Sequence, residues 1–279
     1  MNTIQLKNTF SLATLGLLMT GCIAGENEQF FEPRDFLSQT QICKDNPFAA
    51  ACSLTPAVTT PGVVTILFTM MQIPKESASM ILVNAVKYAS PVHYPKILFL
   101  KDSQTAGEDE GDSLYIKNKL LGDYDVEYSV IPAGGLLPAS IVGKDLVIVS
   151  NPGHPLSDAK TLQTLQAFAG GVILIGDDMS NGRGFGVESF TGLHFVDNGT
   201  SMSCGGRTYN YDNLGGYNYQ VSLNDEFLPG IPAQYKNYQY GNDLDITQAT
   251  SSVQVLAWAT AAPGTCDIGH VPSIVRRPR

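Results

Sequence analysis

Five polar residues stand just beyond apolar, β-branched runs. Asp102 closes Lys96-Ile97-Leu98-Phe99-Leu100, Asn151 and His154 follow Asp145-Leu146-Val147-Ile148-Val149-Ser150, and Asp177 and Asp178 follow Val172-Ile173-Leu174-Ile175-Gly176. If these runs are parallel neighbours, their carboxyl ends share one edge, the edge where open α/β sheets bind ligands. An oxygen-rich cluster there can hold Mg²⁺ or Ca²⁺, and a carboxylate beside an imidazole can move protons. Asp177, Asp178 and His154 are therefore the candidate catalytic set, and Asp102, Asn151, His154 and Asp177 the candidate ligand-binding set. The alternative is structural, because Asp and Asn after strands commonly shape loops and cap helices. No metal or cofactor is assigned on this pattern, although a divalent ion is the one the residues would take. His194 lies within an expected strand and His93 precedes one, so both are read as structural. Gly182-Arg183-Gly184-Phe185-Gly186 does not open a helix after a strand and is not read as a phosphate loop.

The elements that must position these residues are legible from periodicity. Runs 145–150 and 172–175 are apolar on both faces and flank a helix with Leu162, Leu165 and Phe168 on one side, capped by Ser157 or Asp158 and stopped by Gly170-Gly171. Strands joined in this way belong to a parallel sheet covered by helices. Val63–Phe68 is a further strand, and Ala78, Ile81, Leu82, Ala85, Val86 and Ala89 form one helical face. An acidic loop is expected over 102–112, a helix over 113–121, and a strand over 125–130. The fold class is α/β, a doubly wound, mainly parallel, flavodoxin-like sheet. Residues 200–250, rich in Tyr, Asn and Gly, read as a β-rich insertion, and Val253–Thr260 and Val271–Arg276 as two closing strands. Tyr-rich surfaces also serve recognition, so an ordinary β-excursion and a binding face both stay open for that stretch.

Composition bounds the partners. Residues 1–21 hold Lys7, no acid, and an apolar segment from Phe10 to Met19 too short to span a bilayer, which reads as a signal peptide. Without them, the 17 basic residues become 16 against 26 acidic ones, a formal charge of −10. So acidic a chain repels phosphate backbones, which argues against nucleic acid. The Arg276-Arg277-Pro278-Arg279 tail is read as a solvated end. Residues 22–60 lack periodicity and read as a tether, leaving 61–279 as one domain. Cys43, Cys52, Cys204 and Cys266 are an even set, expected as two disulfides in an exported protein. Three connectivities are open. Cys43–Cys52 with Cys204–Cys266 is preferred because the first pair shares one short polar segment, and closing so small a loop is worth roughly 2–3 kcal/mol.

Two resemblances sharpen this reading. Leu18-Met19-Thr20-Gly21-Cys22 resembles the lipobox of bacterial lipoproteins, with Met19 where Leu is commoner. That resemblance implies cleavage before Cys22, lipid on its sulfur and, because Ile23 rather than Asp follows, the outer membrane of a bacterial cell envelope. The order of "DLVIV" at 145–149, "GGVILIGD" at 170–177, Phe227-Leu228-Pro229-Gly230-Ile231-Pro232 and Val255–Thr260 resembles the class I glutamine amidotransferase-like group, especially its ThuA-like branch. That group places a nucleophilic cysteine at the turn after the strand matching 172–175, where backbone N–H groups stabilise an oxyanion. Here the turn reads Gly176-Asp177-Asp178-Met179, with no thiol. The resemblance also implies that strand 63–68 and its helix should come last in the chain, so a circular permutation is expected that sets strand 63–68 beside 271–276. The expected function is a non-catalytic, lipid-anchored envelope module binding a glycan or another envelope protein. The alternative is a carboxylate- or metal-dependent hydrolase.

Overall fold

The computed structural model describes residues 57–73, 75–102, 108–122, 124–150, 158–176, 179, 185–195, 201–204, 207–210, 219–223, 227, 237–240, 247–261 and 270–279. The signal, lipobox and tether assignments, Cys43, Cys52 and Cys266 lie outside them. Strand β1 (Gly62–Ile66) leads through a 3-10 turn, Met70–Gln72, into helix α1 (Lys75–Ala89). Strand β2 (Ile97–Asp102) is followed by α2 (Glu108–Tyr115), which runs on into a π-helical turn, Ile116–Leu120. Then come β3 (Val126–Ile131), a 3-10 turn at Pro138–Ile141, β4 (Leu146–Ser150), α3 (Ala159–Ala167), β5 (Gly171–Ile175) and α4 (Phe185–Thr191). The remaining strands are β6 (Leu193–Phe195), β7 (Ser201–Cys204), β8 (Arg207–Asn210), β9 (Tyr219–Leu223), β10 (Asn237–Tyr240), β11 (Thr247–Ala249), β12 (Gln254–Ala261) and β13 (Val271–Pro278).

The main sheet has the order β10-β9-β12-β13-β1-β5-β4-β2-β3. From β1 to β3 every neighbouring pair is parallel, and from β1 to β10 every pair is antiparallel. Counting from β2 and taking β1 as fifth, the parallel block reads 2-1-3-4-5, the flavodoxin-like order. β1 thus occupies the place of the last strand while coming first in the chain, and it pairs with β13 as the permutation requires. α1 packs on β1 and β5 and α2 on β4, whereas α3 packs against α4 and α4 against β1. Alternation along β13 separates the two layers. Arg276 reaches the end of α1 and Arg277 the end of α4, so α1 and α4 cover opposite faces.

The apolar runs behave as their composition dictates. Every residue of β1, β4 and β5 is buried, which only a sheet covered on both faces allows. Gly171 opens β5 where the end of α1 comes closest. A Cβ there would lie 2.4 Å from the Ala89 carbonyl oxygen, so glycine is required for the helix to seat. On α1 the expected face of Ala78, Ile81, Leu82, Ala85, Val86 and Ala89 is buried. Asp158 caps α3, its carboxylate accepting the Lys160 N–H at 2.9 Å.

Two expectations change. The acidic stretch before residue 113 is not all loop, because 108–112 already belongs to α2. The stretch expected as a Tyr-rich insertion is partly built into the main sheet, with β9 and β10 extending it beyond β12. In register, β9 sets Val221 opposite Ala259 of β12, and β10 sets Tyr238 opposite Val221.

Candidate functional site

The carboxyl ends of the parallel strands form one row. Ile66 pairs with Ile175, Ile175 with Ser150, and Ser150 with Lys101, while Asp102 beside it pairs with Ile131. The chain order reverses between β2 and β4, the switch point at which such sheets open a crevice. The strand ends from which the sequence-predicted residues continue are therefore brought together. Asn151, His154, Asp177 and Asp178 themselves lie outside the described residues, and Asp102 is placed as the last residue of β2. Cys204 ends β7.

Gly176 follows β5 at φ +153°, a conformation essentially reserved for glycine. Its N–H donates to the Ile66 carbonyl at 3.0 Å, fixing the exit of β5 to the end of β1.

The described polar groups of the row are engaged with one another. Ser150 and Ser113, on α2, share a hydroxyl–hydroxyl bond of 2.8 Å in the interior. The Lys101 ammonium, 10% exposed, pairs with the Glu110 carboxylate on α2. Asp112, 1% exposed, accepts the Met71 N–H at 2.6 Å, so one carboxylate ties the segment after β1 to the helix after β2. A bond of this charge-assisted kind contributes about 1.5–3 kcal/mol. These bonds tie β2, β4 and the segment after β1 to α2.

Sequence reading missed Lys101, Glu110, Asp112, Ser113 and Ser150. The available signal was a polar residue ending each apolar run, Lys101 after Ile97–Leu100 and Ser150 after Leu146–Val149. The other histidines lie elsewhere. His194 Nδ1 is 2.8 Å from the Glu188 carboxylate, His93 sits edge-on to Tyr94, and His270 edge-on to Trp258. Among the described residues no three His, Cys, Asp or Glu side chains are grouped to hold a metal, and no helix is long and apolar enough to cross a membrane.

No protein-family model matches the chain, and no curated protein sequence matches it. Among solved structures it is similar to the crystal structure of a protein of Parabacteroides merdae described as ThuA-like, at 15% identity and a TM-score of 0.41, over 64% of this chain and 73% of that one. The fold class rests on the strand order and register.

Proposed function

We propose that the protein is a non-catalytic binding module of the bacterial cell envelope, held at the outer membrane by lipid on Cys22 and built on an amidotransferase-like domain without its thiol. Its ligand, a glycan or another envelope protein, meets the crevice at the carboxyl ends of β2 and β4. The observation that supports this reading is the engagement of the crevice floor. Among the described residues, Lys101 pairs with Glu110, Ser113 with Ser150 and Asp112 with the Met71 N–H, bonds between elements that suit a fixed surface for binding. The turn after β5 carries carboxylates in place of sulfur, and a carboxylate there binds hydroxyls and N–H groups without needing to react.

The test has two arms. Thermal shift with Mg²⁺, Ca²⁺ and soluble cell-wall glycan fragments should show stabilisation by a glycan fragment, lost in Asp177→Asn, with no turnover of ester, amide or glycoside substrates. Turnover that Asp177→Asn or His154→Ala abolishes would instead establish the carboxylate-dependent hydrolase. For the anchor, Cys22→Ala should move the protein from the detergent phase to the aqueous phase on phase partitioning. Unchanged partitioning would refute lipid attachment.

A further inference from the structure

Among the described residues, three buried threonine and serine hydroxyls in one layer of the interior have no hydrogen-bond partner. Thr65 in β1 and Ser273 in β13 are 0% exposed, Thr247 in β11 is 2% exposed, and all three side-chain oxygens are unbonded. Register sets the first two together. Thr65 opposes Val275, and Leu67, two residues on, donates its N–H to the Ser273 carbonyl. Thr65 and Ser273 are therefore diagonal neighbours on one face of the sheet.

That face is the one beneath α4. Arg277, on the same side of β13 by alternation, donates to the Phe190 carbonyl of α4, and a Cβ on Gly192 would lie 3.4 Å from its Cδ. β11, which pairs with β6 and carries Thr247 opposite Phe195, packs against β13. The three hydroxyls thus belong to the contact between the β1–β13 face and the α4–β6–β11 cap. Other hydroxyls of this cap are satisfied. Thr191 donates to the Val187 carbonyl and accepts the Leu193 N–H, and Thr250 donates to the Gly192 carbonyl.

A dry, unbonded hydroxyl is destabilising, and three in one layer would be a large penalty for one fold to carry. Valine in place of the threonines, or alanine in place of the serine, would fill much the same volume without that cost. The chemistry that repays three hydroxyls is a small neutral molecule able both to donate and to accept, and an ordered water needs two to four such partners. We propose that the layer between β1–β13 and the α4–β6–β11 cap is an internal water site, with Thr65, Thr247 and Ser273 as its ligands. The site bridges the permuted strand to the cap and lies in the half of the sheet away from the β2–β4 crevice. It is independent of what that crevice binds.

The test compares Thr65→Val, Thr247→Val and Ser273→Ala, with Thr65→Ser as the control that keeps a hydroxyl. Each of the first three should lower Tm by a few degrees, and Thr65→Val/Ser273→Ala should cost less than the sum of its parts, because the first loss already releases the water. Thr65→Ser should stay within about a degree of wild type. Water-oxygen relaxation dispersion on the wild-type protein should report a long-lived internal water that Thr65→Val removes. A Tm that is unchanged or raised in Thr65→Val, or wild-type relaxation without a component sensitive to that substitution, would overturn the proposal. Should Thr65→Val fail to fold, Ser273→Ala takes its place in the same relaxation comparison, with the same two outcomes.

Discussion

Lys87 shows how one residue can set a pH dependence remote from any site. It sits in the last turn of α1, where a cation suits the helix dipole. Burial outweighs this and lowers its pKa from 10.5 to about 8. Between those values the unfolded chain binds a proton that the folded chain does not, so this residue makes stability rise as pH climbs from about 8 to about 10.5. Below that window the ammonium is charged in both states and the burial penalty is constant. Lys87→Met should therefore raise the urea midpoint at pH 7.5 and flatten the climb towards pH 10. Identical pH profiles for variant and wild type would dispose of the assignment. In the sequence Lys87 lies between the apolar positions Val86 and Ala89 of an expected helix, so its neighbourhood was legible and its depth was not. The same holds for Ser150. Its place at the end of a buried strand could be read, but its partner Ser113 is 37 residues away.

At the scale of elements, the arginines of β13 overturn the expectation of a solvated tail. Arg276 donates from Nε to the Tyr88 carbonyl at 2.8 Å and from a terminal nitrogen to the Thr60 carbonyl at 3.1 Å. Arg277 reaches the Phe190 carbonyl at 3.0 Å, and Arg279 reaches those of Leu165, Gln166 and Gly170. Three helices, α1, α4 and α3, thus have terminal carbonyls met by cations from β13 and the residue that follows it, satisfying groups that a helix end leaves orphaned. Burial lowers the pKa of Arg276 and Arg279, yet guanidinium stays charged at any working pH. Arg276→Met keeps most of the bulk but leaves two carbonyls without a donor, and should cost about 1–3 kcal/mol. Arg279→Ala, nearer solvent, should cost about 1 kcal/mol. Equilibrium denaturation measures both, and a reversed order would contradict the capping account. Sequence pattern finds strands and helices because burial imprints a period, as it did for β1, α1, β4, α3 and β5. It does not find caps that one strand supplies to helices more than eighty residues away, since charge at a chain end looks the same solvated or seated.

The whole molecule is a doubly wound sheet whose first strand takes the fifth place of its parallel block, and the geometry says where else the chain could begin. β13 runs antiparallel to β1, Gly62 opposes Pro278, and the Arg279 N–H donates to the Pro61 carbonyl at 3.1 Å. The end of β13 and the start of β1 therefore lie where a tight hairpin turn could join them. Between α1 and β2, Pro91–Tyr94 forms a surface connection in which Val92 is 41% exposed. A chain that begins at Tyr94, runs to Arg279, crosses an Asn-Gly turn to Pro61 and ends at His93 would carry β1 and α1 last. That order, 2-1-3-4-5 without permutation, preserves every strand pairing, because pairing depends on which strands are neighbours and not on which the ribosome makes first. The permutant loses the Ala57 N–H bond to the Lys87 carbonyl and the Arg276 bond to the Thr60 carbonyl, and gains a closed hairpin. It should unfold cooperatively, keep the far-UV dichroism of residues 57–279, and melt within roughly 10 °C of them, the range that one or two kcal/mol spans in a domain of this size. Should it fold only as a molten state, then β1 holds its place through contacts with the segment before it, and its adjacency to β13 would not be what makes the sheet tolerate a displaced first strand.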